Sequence, residues 1–139
     1  MTTLASKLPP LPLDALLEAF STTVEAAEGV ARLSMRRTDV TVGGVRNSIN
    51  GGVLAALVEL AAHCALASQL EEGQVIEGTV DVSVSFLRAS LGDPTVAEAR
   101  VLRKGSRLCV CSVEVRNGET GDLNVIGKVS LGLAPRGEA

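Results

Sequence analysis

Residues 49 to 69 are apolar at almost every position, with no broad polar face. The run opens on Gly51-Gly52 after Asn50, and only Glu59 and His63 interrupt it before Ser68-Gln69. A surface helix keeps a wide polar sector, so this spacing predicts a buried helix, roughly 28 Å long at about 1.5 Å per residue. Glu71-Glu72-Gly73 is expected to end it. Beyond it the pattern switches to a period of two. Val80, Val82, Val84 and Phe86 alternate with Asp81, Ser83 and Ser85, which predicts a strand with one apolar face. Further strands are expected over 95–102, 108–115 and 123–133, divided by turns at Asp93-Pro94, Lys104-Gly105-Ser106 and 117–121. Upstream, Leu13 to Phe20 reads as a short amphipathic helix capped by Asp14. Residues 22–27 and 30–36 read as a hairpin turning at Glu28-Gly29. An extended lead-in with Pro9, Pro10 and Pro12 is expected over 1–12, and a loop over 38–48 in which Gly43-Gly44 permits unusual backbone angles. Long strands with short connections are antiparallel neighbours. The order β-β-α-β-β-β-β therefore predicts an α+β fold, one long helix against one antiparallel sheet, in a single domain over residues 1–139.

Winding the helix at about 100° per residue divides it into two sides. Val53, Leu57, Leu60, Cys64 and Ser68, extended by Leu54 and Ala61, form the side expected to pack into the sheet. Gly52, Glu59 and His63 gather on the other, among Ala55, Ala56, Ala62 and Leu66. That low-profile side admits close approach by a ligand or a partner subunit.

Composition narrows the function. Aromatic residues make up 1% of the chain, only Phe20 and Phe86, so stacking platforms for single-stranded nucleic acid or sugar are nearly excluded. A net charge of −3 supplies no field for duplex nucleic acid. Cys64, Cys109 and Cys111 have no zinc spacing and read as small core residues, so no metal is expected. The first twelve residues lack the basic and apolar segments of a signal peptide, and no stretch of 18 uninterrupted apolar residues occurs. The expectation is a cytoplasmic protein without a membrane partner.

The helix also carries the candidate chemistry. Its N-terminus offers backbone N–H groups at the positive end of the dipole, equipment for an anion or a developing oxyanion. The plainer account of Gly51-Gly52 is a glycine-rich helix start after an Asn50 cap. Glu59, a carboxylate within a buried helix, is costly unless paired, hydrated or used. An i,i+4 hydrogen bond to His63 is one way to hold it. Gly52 and Glu59 are seven residues apart, roughly 10 Å along the axis. One carboxylate cannot serve a carbonyl held at the start of its own helix. If both act on one substrate, they come from two copies of the chain, and the site is dimeric.

These residues resemble the hotdog-fold acyl-CoA thioesterases, especially the phenylacetate-degradation type. Members carry a His-Gly-Gly helix start, matched here by Asn50-Gly51-Gly52, with an acidic residue nine positions after the His, matched by Glu59. A strand like Thr79 to Arg88 and a hairpin like Arg103-Lys104-Gly105-Ser106-Arg107 follow, and the likeness runs from about Phe20 to Leu133. The resemblance implies a hotdog fold, a long central helix wrapped by an antiparallel sheet, assembled as a homodimer, with pairing into a homotetramer left open. It implies that Gly51 N–H polarises the thioester carbonyl and that Glu59 attacks it or activates water, with Asn50, in the place of the family's His, as the third candidate catalytic residue. Thr79 falls where a Ser or Thr positions that water, and His63 where a Thr contributes in one branch. Arg88, Arg103, Lys104 and Arg107 fall at or near strand ends where the family contacts CoA phosphates; solvated hairpin charge is the other reading of these four. Two positions depart from the pattern: Asn50 cannot titrate as the usual His does, and the usual Asn or Gln seven residues before the first glycine is Gly44.

The expected function is therefore hydrolysis of a small or medium acyl-CoA, with no cofactor beyond the CoA of the substrate. The alternative is a non-catalytic acyl-CoA-binding hotdog protein, to which both departures point. A hotdog dehydratase fits less well, because His63 lies on the wrong side of Glu59.

Overall fold

The computed structural model describes residues 13–135; the expected lead-in over 1–12 lies outside them. The elements run α1 (Leu13–Ala19), β1 (Thr22–Ala27), β2 (Val30–Met35), α2 (Gly51–Ala67), β3 (Gln74–Phe86), β4 (Thr95–Lys104), β5 (Leu108–Asn117) and β6 (Leu123–Pro135). All strand pairs are antiparallel, in one six-stranded sheet of order β1-β2-β4-β5-β6-β3. The sheet curls around α2, which touches every strand. This is the hotdog arrangement. Among the described residues, no helix is long and apolar enough to cross a membrane.

The core lies between helix and sheet. Leu57, Leu60 and Leu66 of α2 are fully buried with Leu33 and Met35 of β2, Val113 of β5, and Val129 and Leu131 of β6. Each buried side chain of this size contributes about 1.5–3 kcal/mol of transfer free energy. Wrapping changes the two-sided reading of the helix. Ala62 and Leu66, assigned to the open side, are fully buried, whereas Val53 and Cys64 are only partly covered. A curved sheet covers more of the helix circumference than a flat one, so no clean bulky face is needed. Helix and sheet approach closely at Gly127 of β6, where a Cβ would stand 2.5 Å from Val58 Cγ1. Glycine there is what lets α2 settle onto the strand.

Several boundaries differ from the sequence expectation. α2 ends at Ala67, before the Glu71-Glu72-Gly73 stop. The Ser68 hydroxyl donates to Ala65 O at 2.7 Å and accepts from Gly29 N at 2.9 Å, tying the chain to the β1–β2 turn instead of into another helical turn. Asp14 sits inside the first turn of α1 and not at its cap position. In the 38–48 loop the left-handed residues are Arg46 (φ 57°) and Asn47 (φ 61°), while Gly44 is extended. Glycine at 44 is required by crowding, because a Cβ would meet Ser48 Oγ at 2.3 Å. The Arg37 guanidinium donates to Asn47 O and holds that left-handed turn.

Strand β3 departs most from simple alternation. Its register against β6 skips Glu77 and Val80, so two bulges interrupt the ladder. Ile76, Thr79 and Val82 pair with the core residues Leu133, Leu131 and Val129, and all three therefore face the helix. Val80, the extra residue of the second bulge, is 65% exposed.

Candidate active site

The start of α2 is capped by Asn50, as its residue type predicts. Its Oδ1 accepts from Gly52 N at 2.7 Å and Val53 N at 3.3 Å, and its own N–H donates to Thr41 O at 2.8 Å. Leu54 N donates to Asn50 O at 3.0 Å. Of the N–H groups that a helix start leaves over, only that of Gly51 has no acceptor among the described residues. A Cβ on Gly52 would lie 3.0 Å from Asn50 Oδ1, so the second glycine gives the cap its room.

Gly51 lines a cavity of about 450 Å³ with the apolar residues Ile49, Leu54, Phe86 and Leu87, and with Arg88, Ala89 and Ser90. The 87–89 wall hangs on Asn124, which is 1% exposed. Asn124 O accepts from Leu87 N (2.8 Å) and Arg88 N (3.2 Å), and its Nδ2 donates to Arg88 O (3.4 Å) and Ala89 O (3.0 Å). Ile49 N donates to Ser90 O at 2.9 Å, tying this wall to the helix start. The Ser90 hydroxyl, 2% exposed, has no partner among the described residues. Neither Asn124 nor Ser90 was singled out from sequence; a lone Asn and a loop Ser carry no periodic signal.

The second half-site lies further along α2. Thr79 Oγ1 donates to Glu59 Oε2 at 2.6 Å and lies 3.0 Å from His63 Nε2. Glu59 and His63 are thus bridged through Thr79, and the direct i,i+4 hydrogen bond does not form. The His63 ring is 4% exposed. Burial lowers its pKa below the ordinary 6.5, and the Glu59 carboxylate partly opposes that shift. Glu59 is half-buried, so its carboxylate is partly open to solvent. A carboxylate held this way can accept a proton from water or attack a carbonyl carbon.

The sequence-selected residues thus fall into separate groups within one chain. Glu59, His63 and Thr79 meet in one place, and Asn50, Gly51, Gly52 and Arg88 lie together at the helix start. Gly51 and Glu59 are eight residues apart, about 12 Å along the axis. Arg103, Lys104 and Arg107 stand on the β4–β5 hairpin beyond the far end of α2, where Lys104 Nζ lies 3.7 Å from Glu71 Oε1. Arg88 lines the cavity and pairs with Asp122 at 3.2 Å on the surface. Cys109 and Cys111 share the core face of β5 as expected, and burial pushes the Cys111 thiol up to about 12. Cys64 is likewise raised to about 11, so these thiols are not poised as nucleophiles.

A family model described as the thioesterase superfamily matches residues 46–123, a span that contains the α2 start, Glu59, His63, Thr79 and the cavity wall. The chain belongs to the thioesterase superfamily. Its similarity to the medium/long-chain acyl-CoA thioesterase YigI of Escherichia coli K12 is 30% identity over 102 residues, covering 64% of this chain. The match spans 66% of that relative's length, just under two thirds. Among solved structures, a thioesterase from Haemophilus influenzae superposes with a TM-score of 0.81 at 22% identity, covering 99% of this chain and 94% of that one. A hypothetical thioesterase from Streptococcus pneumoniae, solved with coenzyme A, gives 0.77 at 15% identity, covering 96% and 98%. At these identities the two structures establish the shared fold.

Proposed function

We propose that the chain is an acyl-CoA thioesterase of the phenylacetate-degradation type, catalysing acyl-S-CoA + H₂O → acid + CoA in the cytoplasm. The observation that carries this reading is Gly51 N–H, the one unpaired donor of a capped helix start, lining an apolar cavity. A thioester carbonyl placed there receives a hydrogen bond that strengthens as the oxygen becomes an oxyanion. Asn50 contributes by capping the helix and keeping Gly51 N–H aligned. Acyl chains of small to medium length suit the cavity, and the medium/long-chain specificity named for YigI overlaps that range.

Glu59 of the partner subunit acts on the carbon. As base, it takes a proton from water while the hydroxide oxygen adds to the carbonyl carbon. Collapse breaks the C–S bond, and the departing sulfur takes the proton. As nucleophile, it forms an acyl-glutamate anhydride with release of CoA, and water then cleaves the anhydride. Thr79 and His63 hold the carboxylate, and Gly52 gives the Asn50 cap its room. Arg88, Arg103, Lys104 and Arg107 are assigned to the CoA phosphates.

A homodimer, alone or as half of a tetramer, follows from the about 12 Å between Gly51 and Glu59 on one helix. Strand β3 supports it: the strand is 13 residues long and, among the described residues, has one unpaired edge. The helix-facing Val82 and Phe86 near that edge are 36% and 56% exposed. Long apolar edges of this kind are protected by pairing.

A thiol-release assay on an acyl-CoA panel tests the reading. Glu59→Ala abolishes hydrolysis while the dimer persists in size-exclusion chromatography; unchanged rates in Glu59→Ala overturn the mechanism. One observation favours the non-catalytic alternative: the residue replacing the usual His is engaged in capping and cannot titrate. Wild-type protein that binds CoA esters without releasing thiol establishes that alternative.

A further inference from the structure

The Thr79 hydroxyl has one proton and two neighbours that compete for it. Glu59 Oε2, at 2.6 Å, lies in the range of charge-assisted O–H···O⁻ bonds, and an ionised carboxylate accepts only. The proton therefore points at Glu59. Toward His63 Nε2, 3.0 Å away, Thr79 Oγ1 then has only a lone pair to offer, so Nε2 must carry a hydrogen. His63 is 4% exposed, and Thr79 Oγ1 is the hydrogen-bond partner of its Nε2. Glu59 Oε1 has no protein partner among the described residues, which leaves it as the oxygen that faces the chemistry.

We propose that His63 is a positioning residue that acts through Thr79: its Nε2–H fills the threonine lone pair, directs the only threonine proton onto Glu59 Oε2, and thereby fixes which carboxylate oxygen stays open. The relay runs His63 Nε2–H to Thr79 Oγ1–H to Glu59 Oε2. A ring with its proton on Nδ1 would instead accept from Thr79, and Glu59 would lose its partner. Its catalytic consequence rests on the thioesterase reading above; its hydrogen-bond direction does not.

His63 is the only histidine in the chain, so imidazole nitrogen signals report on it alone. In untagged protein with labelled histidine, long-range proton–nitrogen NMR near neutral pH is expected to show the neutral Nε2–H tautomer. In Thr79→Val, which removes the acceptor, the ring should shift toward the mixture of free imidazole. An Nδ1–H ring in the wild type, or signals unchanged in Thr79→Val, overturns the relay.

Kinetics test the consequence. His63→Leu should lower kcat about tenfold with little change in KM, as expected when an interaction acts through the geometry of a catalytic group. His63→Gln, whose amide N–H reaches the Nε2 position, should recover most of the loss. In a Thr79→Val background, His63→Leu should cost less than about twofold more, because the two residues act as one unit. Additive losses, or a change confined to KM, overturn the positioning role. If His63→Leu fails to fold, the His63→Gln and Thr79→Val comparisons decide it. A wild type that releases no thiol sinks the thioesterase reading, and the tautomer result still decides the relay.

Discussion

Thr79 Oγ1 stands 2.6 Å from Glu59 Oε2, across 20 positions of sequence, because the extra residue Val80 lets the strand admit Thr79 to its inner side. Counted by plain alternation from Val82, Val84 and Phe86, Thr79 would point away from α2. The bulge leaves Val80 out of the ladder and so turns Thr79 toward the helix. A strand irregularity, with no polar signature of its own, thus assembles the carboxylate site.

Gly51→Pro separates the backbone donor from every other property of the helix start. Gly51 is the first helical residue, where proline is tolerated because its missing N–H has no helical acceptor. Asn50 already has φ −58° and ψ 135°, the extended geometry that a following proline favours. The variant should retain its circular dichroism and its elution volume in size-exclusion chromatography while kcat falls about 100- to 1000-fold, the usual cost of one oxyanion donor. Gly51→Ala keeps the N–H, and its Cβ would meet Phe86 at an ordinary 3.7 Å, so it should stay active. A Gly51→Pro enzyme of full activity removes this N–H from the mechanism.

Gly127→Ala places a methyl group 2.5 Å from Val58 Cγ1, with the helix backbone behind it. Overpacking of this kind costs about 1–3 kcal/mol, read as a lower urea midpoint at constant slope. Trimming the opposing side chain in Gly127→Ala/Val58→Ala should recover part of the loss. A double variant as unstable as the sum of the two singles would show that Val58 is not the obstacle.

The lowered pKa of His63 makes stability depend on pH with a defined sign. The unfolded ring titrates near the ordinary 6.5, and the native ring below it. Between those values the unfolded chain binds more protons, so stability rises with pH across the window. The contribution is complete above 6.5 and is lost as pH falls toward the native value. The slope from this one proton is at most about 1.4 kcal/mol per pH unit. Urea titrations at several pH values should show it in the wild type, and His63→Gln should remove it.

Much of this architecture was readable from residue patterns. The long apolar run could only be a buried helix, and the plainer reading of Asn50 before two glycines, a cap, is what the structure shows. The i,i+2 cysteines of β5 landed in the core because strand periodicity is strict there. The failures share a cause: each depends on one side chain meeting a distant partner. Ser68 ends α2 because Gly29 lies beside it. Thr79, and not the helical spacing, connects Glu59 to His63. Asn124 and Ser90 shape the cavity from β6 and from the turn after β3, with nothing nearby in sequence to announce them. The β3 bulges belong to the same class, since alternation alone cannot say which residue a ladder leaves out.

Asn124 grips the 87–89 segment at four backbone atoms from a single position on the sheet. The lip of the cavity is thereby moored to β6, while Glu59 is carried by α2, which rests on the same strand at Gly127. Side chains at 87 and 89 project from an anchored backbone, so exchanging them resizes the chamber without disturbing the carboxylate. The size of the chamber and the geometry of the carboxylate site are therefore separable traits, and one can diverge while the other is kept.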